Sequence, residues 1–275
     1  METFPLSTDA LPVDENGVEM DGWLLFLDEF NSADRGVQKA AYRLVLDRQV
    51  GKNDLHPNVA IIAAGNLDTD GAIVEEMSTA LQSRICHLNI RPDHKAFMDH
   101  ARRSGFHHKI TSFLEFKPAC LYTFDPEKAD VQETYACYRT WEFADRQLKV
   151  LEAHSPDWEK KPLGKAIFAG SISLGVATEF LAFLRNFAQL PSMAQILADP
   201  KNAKIPKEPG TLYALTGAIG QHADKANIAK VMEYVNRIPM EFQVITLREL
   251  IRRNEAMLTE KPVNDWVTTN SKELY

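Results

Sequence analysis

The chain has 275 residues, 45% of them hydrophobic and 25% charged, a globular composition that excludes a disordered or low-complexity polypeptide. Its 31 basic and 38 acidic side chains give a net charge of −7, which argues against broad binding to a nucleic-acid backbone. Three well-separated cysteines, Cys86, Cys120 and Cys137, with no CxxC pair, exclude a disulfide framework and fit a reducing compartment.

No apolar run is long enough to span a bilayer. The opening Met-Glu-Thr-Phe-Pro has neither the basic nor the apolar stretch of an export signal. The expectation is a cytoplasmic protein without membrane contact, built from about two structural units.

Up to residue 90, short apolar runs alternate with polar loops in the rhythm of a parallel α/β sheet. Trp23–Leu27 is a continuous apolar run, predicting a strand buried on both faces. Asn31 or Ser32 can cap a helix beginning near Ala33, whose apolar face would carry Val37, Ala40, Ala41, Leu44 and Val45 and stop at Gly51. Residues 58–64 predict a second buried strand, residues 73–82 a short helix and residues 85–90 a third strand.

After Arg91-Pro92 the pattern turns helical. Pro92 suits the first position of a helix running to Gly105, and further helices are expected at 109–116, 139–153, 174–189, 211–222, 227–236 and 242–258. Residues 154–165 have the composition of a linker. The chain therefore divides into 1–90, 91–155 and 156–275.

The most informative stretch is Leu24-Leu25-Phe26-Leu27-Asp28-Glu29, which sets two carboxylates at the carboxyl end of a strand, where ligands bind in open α/β sheets. Asp28 could hold Mg²⁺ through water, and Glu29 could polarise the water that attacks a γ-phosphate. Acids that merely cap the next helix would look the same. Ile61-Ile62-Ala63-Ala64-Gly65-Asn66 ends a second strand in an amide that could hold that water, or serve only as a turn residue. Arg84, in Leu-Gln-Ser-Arg-Ile, could reach a nucleotide in an adjacent subunit, or make a surface ion pair.

In this order, Asp28-Glu29, Asn66 and Arg84 resemble the Walker B, sensor 1 and arginine-finger motifs of the MoxR-like group of AAA+ ATPases, a group that includes phage and prophage versions. Tyr138-Arg139-Thr140-Trp141-Glu142 resembles the sensor 2 region, with Arg139 as the phosphate contact. The resemblance implies an α/β fold: a partial P-loop NTPase core with a parallel sheet, then a mostly helical lid and a helical carboxyl-terminal extension. It implies ATP and Mg²⁺ as cofactors, a homo-oligomeric, hexameric ring, chaperone-like remodelling of protein clients, and a von Willebrand A domain partner.

The sequence departs from that family at one place. No GxxxxGK[ST] loop occurs: Gly51-Lys52 is followed by Asn53, and Gly164-Lys165 by Ala166. The backbone cradle, lysine and Mg²⁺-binding hydroxyl of a phosphate loop are absent with it. The chain reads as the carboxyl-terminal portion of an ATPase: a fragment, one half of a split enzyme completed by a separate Walker A half, or a degenerate subunit. A non-catalytic helical assembly module is the alternative from another class.

Elsewhere the plain readings prevail. His94, His100, His107 and His108 are expected on a solvated mixed-charge helix rather than at a metal. Arg102-Arg103 with Lys109 reads as a solvated face more than a nucleic-acid contact. Phe180, Phe183, Leu184 and Phe187 recur at the spacing of packing residues, and Cys137 has no nearby base.

Overall fold

The computed structural model describes residues 11–67, 77, 79–127, 134–155, 157–270 and 272. The chain forms two compact units, residues 1–90 and 91–275, and is mostly helical with a small parallel sheet.

In the first unit, β1 (Trp23–Leu27) pairs in parallel with β4 (Val59–Ala63), in register from Trp23 opposite Val59 to Leu27 opposite Ala63. The pair is not buried on both faces. Leu24, Phe26 and Ile62 share one face and are 63%, 55% and 51% exposed. Two strands with one short helix can cover a single face only, so the continuous apolar run overstates burial here. The connection carries α1 (Arg35–Tyr42), a π-helical turn at Arg43–Asp47, and a two-residue hairpin, β2 (Gln49–Val50) with β3 (Asn53–Asp54), around Gly51. Asp34 caps α1, its Oδ1 accepting from Gly36 N (2.7 Å) and Val37 N (3.0 Å), in place of the expected Asn31 or Ser32. The expected apolar face is likewise shifted: Val37 is exposed, and Gln38 is buried with its amide donating to Ala33 O.

Of the expected helix at 73–82, α2 (Thr79–Gln82) lies in the described residues; positions 73–76 and 78 are outside them. The expected third strand, 85–90, takes no strand pairing among the described residues, and Leu88 and Ile90 are exposed. Apolar alternation favours a strand only where a neighbouring edge accepts it.

The second unit is an array of helices: α3 (His94–Arg103), α4 (His108–Phe116), α5 (Tyr138–His154), α6 (Pro162–Ile172), α7 (Leu174–Leu184), α8 (Met193–Ala198), α9 (Pro209–His222), α10 (Ile228–Val235), α11 (Met240–Arg253) and α12 (Lys261–Thr269). Asp93, not Pro92, starts α3, accepting from Ala96 N at 2.6 Å. The stretch 154–165 is no open linker: Trp158 is buried and Pro162 opens α6. One apolar cluster joins α3, α4, α5, α6 and α7 around Phe113, Trp141, Phe168 and Phe180, so helices on both sides of residue 155 share a core. Phe180, Phe183 and Leu184 take the packing role their spacing indicates. A second cluster forms around Ile219, Tyr234 and Leu247.

The helix α9 packs against both α4 and α11. Its Gly217 permits this closeness, since a Cβ there would stand 1.9 Å from Ser112 Oγ. Beside that contact lies a buried ion network. Arg102, 4% exposed, meets Glu249 and Glu115, while Glu249 also accepts from Thr111 Oγ1 (3.0 Å) and Arg253 (2.8 Å). Burial works against the charge of Arg102, and the two carboxylates outweigh it, holding its pKa above the ordinary value. Arg102 thus lies in the core and not on the solvated face expected for it, and Lys109 is tied to Glu152 at 2.6 Å. His107 and His108 are half-buried and stack on each other, with centroids 4.6 Å apart.

Candidate functional site

The parallel pairing of β1 and β4 brings Asp28, Glu29 and Asn66 to the same, carboxyl end of the sheet. Asp28 and Glu29 leave β1 directly, and Glu29 turns the chain with φ 52°, in the left-handed region. A non-glycine residue held there carries a conformational cost, of the kind that concentrates at working sites. Asp28 Oδ1 accepts from Glu29 N at 3.0 Å, which fixes the carboxylate and leaves its second oxygen without a described partner. Both carboxylates are exposed.

Four hydrogen bonds stitch the loop after β1 to the loop after β4. Ala64 N donates to Leu27 O (2.8 Å) and Phe30 N to Ala64 O (2.8 Å). Asn31 Nδ2 donates to Asn66 O (2.6 Å), and Asn66 N donates to Asn31 Oδ1 (3.1 Å). Glu29 lies in the loop between these ties. The Asn66 side-chain amide makes no hydrogen bond to a described residue and is exposed. A cleft of 670 Å³ opens beside Asp28 and Glu29, walled by Phe26, Val37, Ala41 and Leu44.

Arg84 follows α2, its N–H donating to Leu81 O at 3.0 Å, and its side chain is exposed. Leu81 is fully buried and anchors that turn. The arginine thus stands after a helix, as the sequence indicates, without the strand expected to follow it.

Arg139, at the start of α5, is in the second unit. It lines a 340 Å³ depression with Arg91, His100, Tyr138, Asp93 and Glu142. Tyr138 stacks on Phe97 at 4.9 Å, and burial pushes its hydroxyl above the ordinary pKa. Glu142 is engaged by Arg146, whereas Arg91 and Arg139 have no described ion-pair partner. Two guanidinium groups at one depression can take an anion such as a phosphate.

Two residues here have no site role in the sequence reading: Asn31, expected only as a helix cap, and Arg91. Arg91 sits beside Pro92 at the break in composition, a local signal. Asn31 meets Asn66 across 35 residues, and no spacing within one sequence encodes that contact.

No group of three or more His, Cys, Asp or Glu among the described residues could hold a metal by itself. A single exposed carboxylate such as Asp28 fits Mg²⁺ held largely by water and phosphate oxygens, the usual environment of that ion. No helix of the described residues is long and apolar enough to cross a membrane. Comparisons with known protein families, known proteins and solved structures find no match to this chain.

Proposed function

We propose that this chain is the Walker B half of an AAA+ ATP hydrolase of the MoxR-like group, working in a homo-oligomeric, hexameric ring that remodels protein clients. The observation that carries the reading is the parallel β1–β4 pair with Asp28, Glu29 and Asn66 together at its carboxyl end, where α/β sheets bind ligands. A single resemblance of motif is weak; the spatial convergence of separate motifs adds support.

In this reading Asp28 would hold Mg²⁺ through water, and the ion would neutralise charge on the nucleotide phosphates. Glu29 accepts a hydrogen bond from the attacking water and orients it. The free amide of Asn66 holds that water from the adjacent strand tip. Arg139, with Arg91, contacts a phosphate oxygen, and Arg84 serves the nucleotide of a neighbouring subunit. The phosphate loop that this sequence lacks has to be supplied by a Walker A half, in a longer form of the same chain or in a separate polypeptide, and a von Willebrand A domain protein is the expected partner. The second reading, a non-catalytic helical assembly module, draws on the concentration of buried apolar side chains after residue 91.

The test is complementation. The chain alone should bind an ATP analogue weakly and hydrolyse ATP negligibly. Combined with a polypeptide carrying GxxxxGK[ST], it should hydrolyse ATP, and Glu29→Gln should keep binding while turnover falls by about 10²-fold or more. Normal turnover in that variant would remove Glu29 from the mechanism; failure of every complemented complex to hydrolyse ATP would favour the assembly module.

A further inference from the structure

We propose that Asn31 is a positioning residue, whose side-chain amide sets Asn66 in register with the Glu29 loop; this rests on the ATPase reading and adds to it the group that aligns two of its residues. The primary amide of Asn31 engages both backbone groups of Asn66, donating to its carbonyl at 2.6 Å and accepting from its N–H at 3.1 Å. It thereby replaces, beyond the end of the β1–β4 ladder, the two bonds that a continuing strand would supply.

The identity of the side chain matters. Serine offers one short hydroxyl, aspartate has no donor for the Asn66 carbonyl, and glutamine is a methylene too long for the same bracket. The neighbouring residue is matched to it: a Cβ at Gly65 would stand 2.1 Å from Asn31 Oδ1. Gly65 is therefore required by the clamp itself and not by a left-handed backbone, since its φ is not among the positive ones. Glu29 is two residues from the clamp, with its own carbonyl accepting from Ser32 N at 2.9 Å. Releasing Asn31 frees the Asn66 backbone and slackens the turn that holds Glu29 at φ 52°. A small displacement of a water-orienting group costs catalysis far more than it costs ligand affinity.

Two measurements on the full chain and its complemented ATPase separate the possibilities. The first is amide hydrogen exchange at Asn66 in the uncomplexed chain. Asn31→Ala should speed it by about fivefold or more. Gly65→Ala should do the same in the native background and add little to Asn31→Ala, since the clash partner is then gone. Unchanged exchange in Asn31→Ala, or independent effects of the two substitutions, would overturn the clamp. The second is turnover of the complemented enzyme, where Asn31→Ala should lower kcat by about tenfold to 10²-fold with KM for ATP changed less than about twofold. If Glu29→Gln is inactive while Asn31→Ala turns over normally, the ATPase reading stands and the positioning role falls. If Glu29→Gln itself turns over normally, Glu29 leaves the mechanism and the positioning role goes with it; if no complemented complex hydrolyses ATP, the ATPase reading fails, while the exchange data still test the clamp.

Discussion

Arg84 and Glu249 carry charge at opposite extremes of exposure, and their substitutions should behave accordingly. In the ATPase reading the exposed Arg84 acts on a neighbour's nucleotide, stabilising charge that develops only in the transition state. Arg84→Ala in the complemented enzyme should leave nucleotide affinity nearly intact and abolish hydrolysis. Rings mixed from the Arg84→Ala and Glu29→Gln variants should regain part of the activity, because some interfaces then pair an intact Glu29 with an intact Arg84. Mixed rings as inactive as either parent, with subunit exchange demonstrated, would mean that Arg84 acts in cis or only structurally, and would overturn the finger role. Glu249 works through folding instead. Its carboxylate faces Arg102, Arg253 and Thr111 inside the helical unit, and Glu249→Gln leaves the buried Arg102 guanidinium short of a counter-charge. Breaking such a pair costs about 3–5 kcal/mol, readable as a lowered urea midpoint. Replacing Arg102 and Glu249 together by Met and Leu should cost much less.

Among the elements, the junction at the start of α4 is sensitive to acid. Burial lowers the pKa of His107 to about 4 and that of His108 to about 2, the charges of His107, His222, Arg253 and Lys109 adding to the effect on His108. His108 Nδ1 is buried without a partner. In the unfolded chain both rings titrate near 6.5, so below that pH the unfolded state takes up protons that the folded state refuses. Stability is full above pH 6.5 and declines as pH falls, at up to about 1.4 kcal/mol per pH unit for each histidine. The stability of the native chain relative to His108→Leu should therefore drop by about 2 kcal/mol between pH 7 and pH 5. A difference that stays flat, in denaturant titrations at the two pH values, would mean that His108 remains accessible. The sequence placed both histidines on a solvated helix because charge surrounds them; which side of α4 is buried depends on α9 and the segment after α7, at positions 187 and 222, whose rings contact His108 at 5.4 and 5.8 Å.

For the whole molecule, apolar side chains are divided unequally. Among the described residues, the first unit buries Leu55, Val59 and Leu81, whereas two extended clusters fill the second. Residues 91–275 expressed alone should keep their helical circular dichroism and unfold cooperatively; residues 1–90 alone should not, being short of the burial that offsets chain entropy. Non-cooperative melting of 91–275 would contradict this division. Period and punctuation made most of the larger unit legible: α4, α5, α9 and α10 lie close to the expected ranges because each has a wide apolar face and a capping or breaking residue. The helices α6, α8 and α12 were not expected. Each begins where Pro or a short polar run signals a loop, and α6 is apolar around much of its surface, which hides the period. In the smaller unit β1 and β4, and the placement of Asp28, Glu29 and Asn66 at their carboxyl ends, were legible from apolar runs ending in polar residues. Its exposed sheet face was not, because burial depends on what covers a strand, and the strand's own letters do not say.

The Arg102–Glu249 pair joins residues 147 positions apart. At about 5–20 residues per second, a ribosome needs roughly 7–30 s to add that much chain. For that interval the nascent α3 and α4 exist without the carboxylate that lets Arg102 enter the core, so their apolar surface stays available to other binding partners. Closure of that interior is thus set by the order of synthesis: α11 admits helices made long before it.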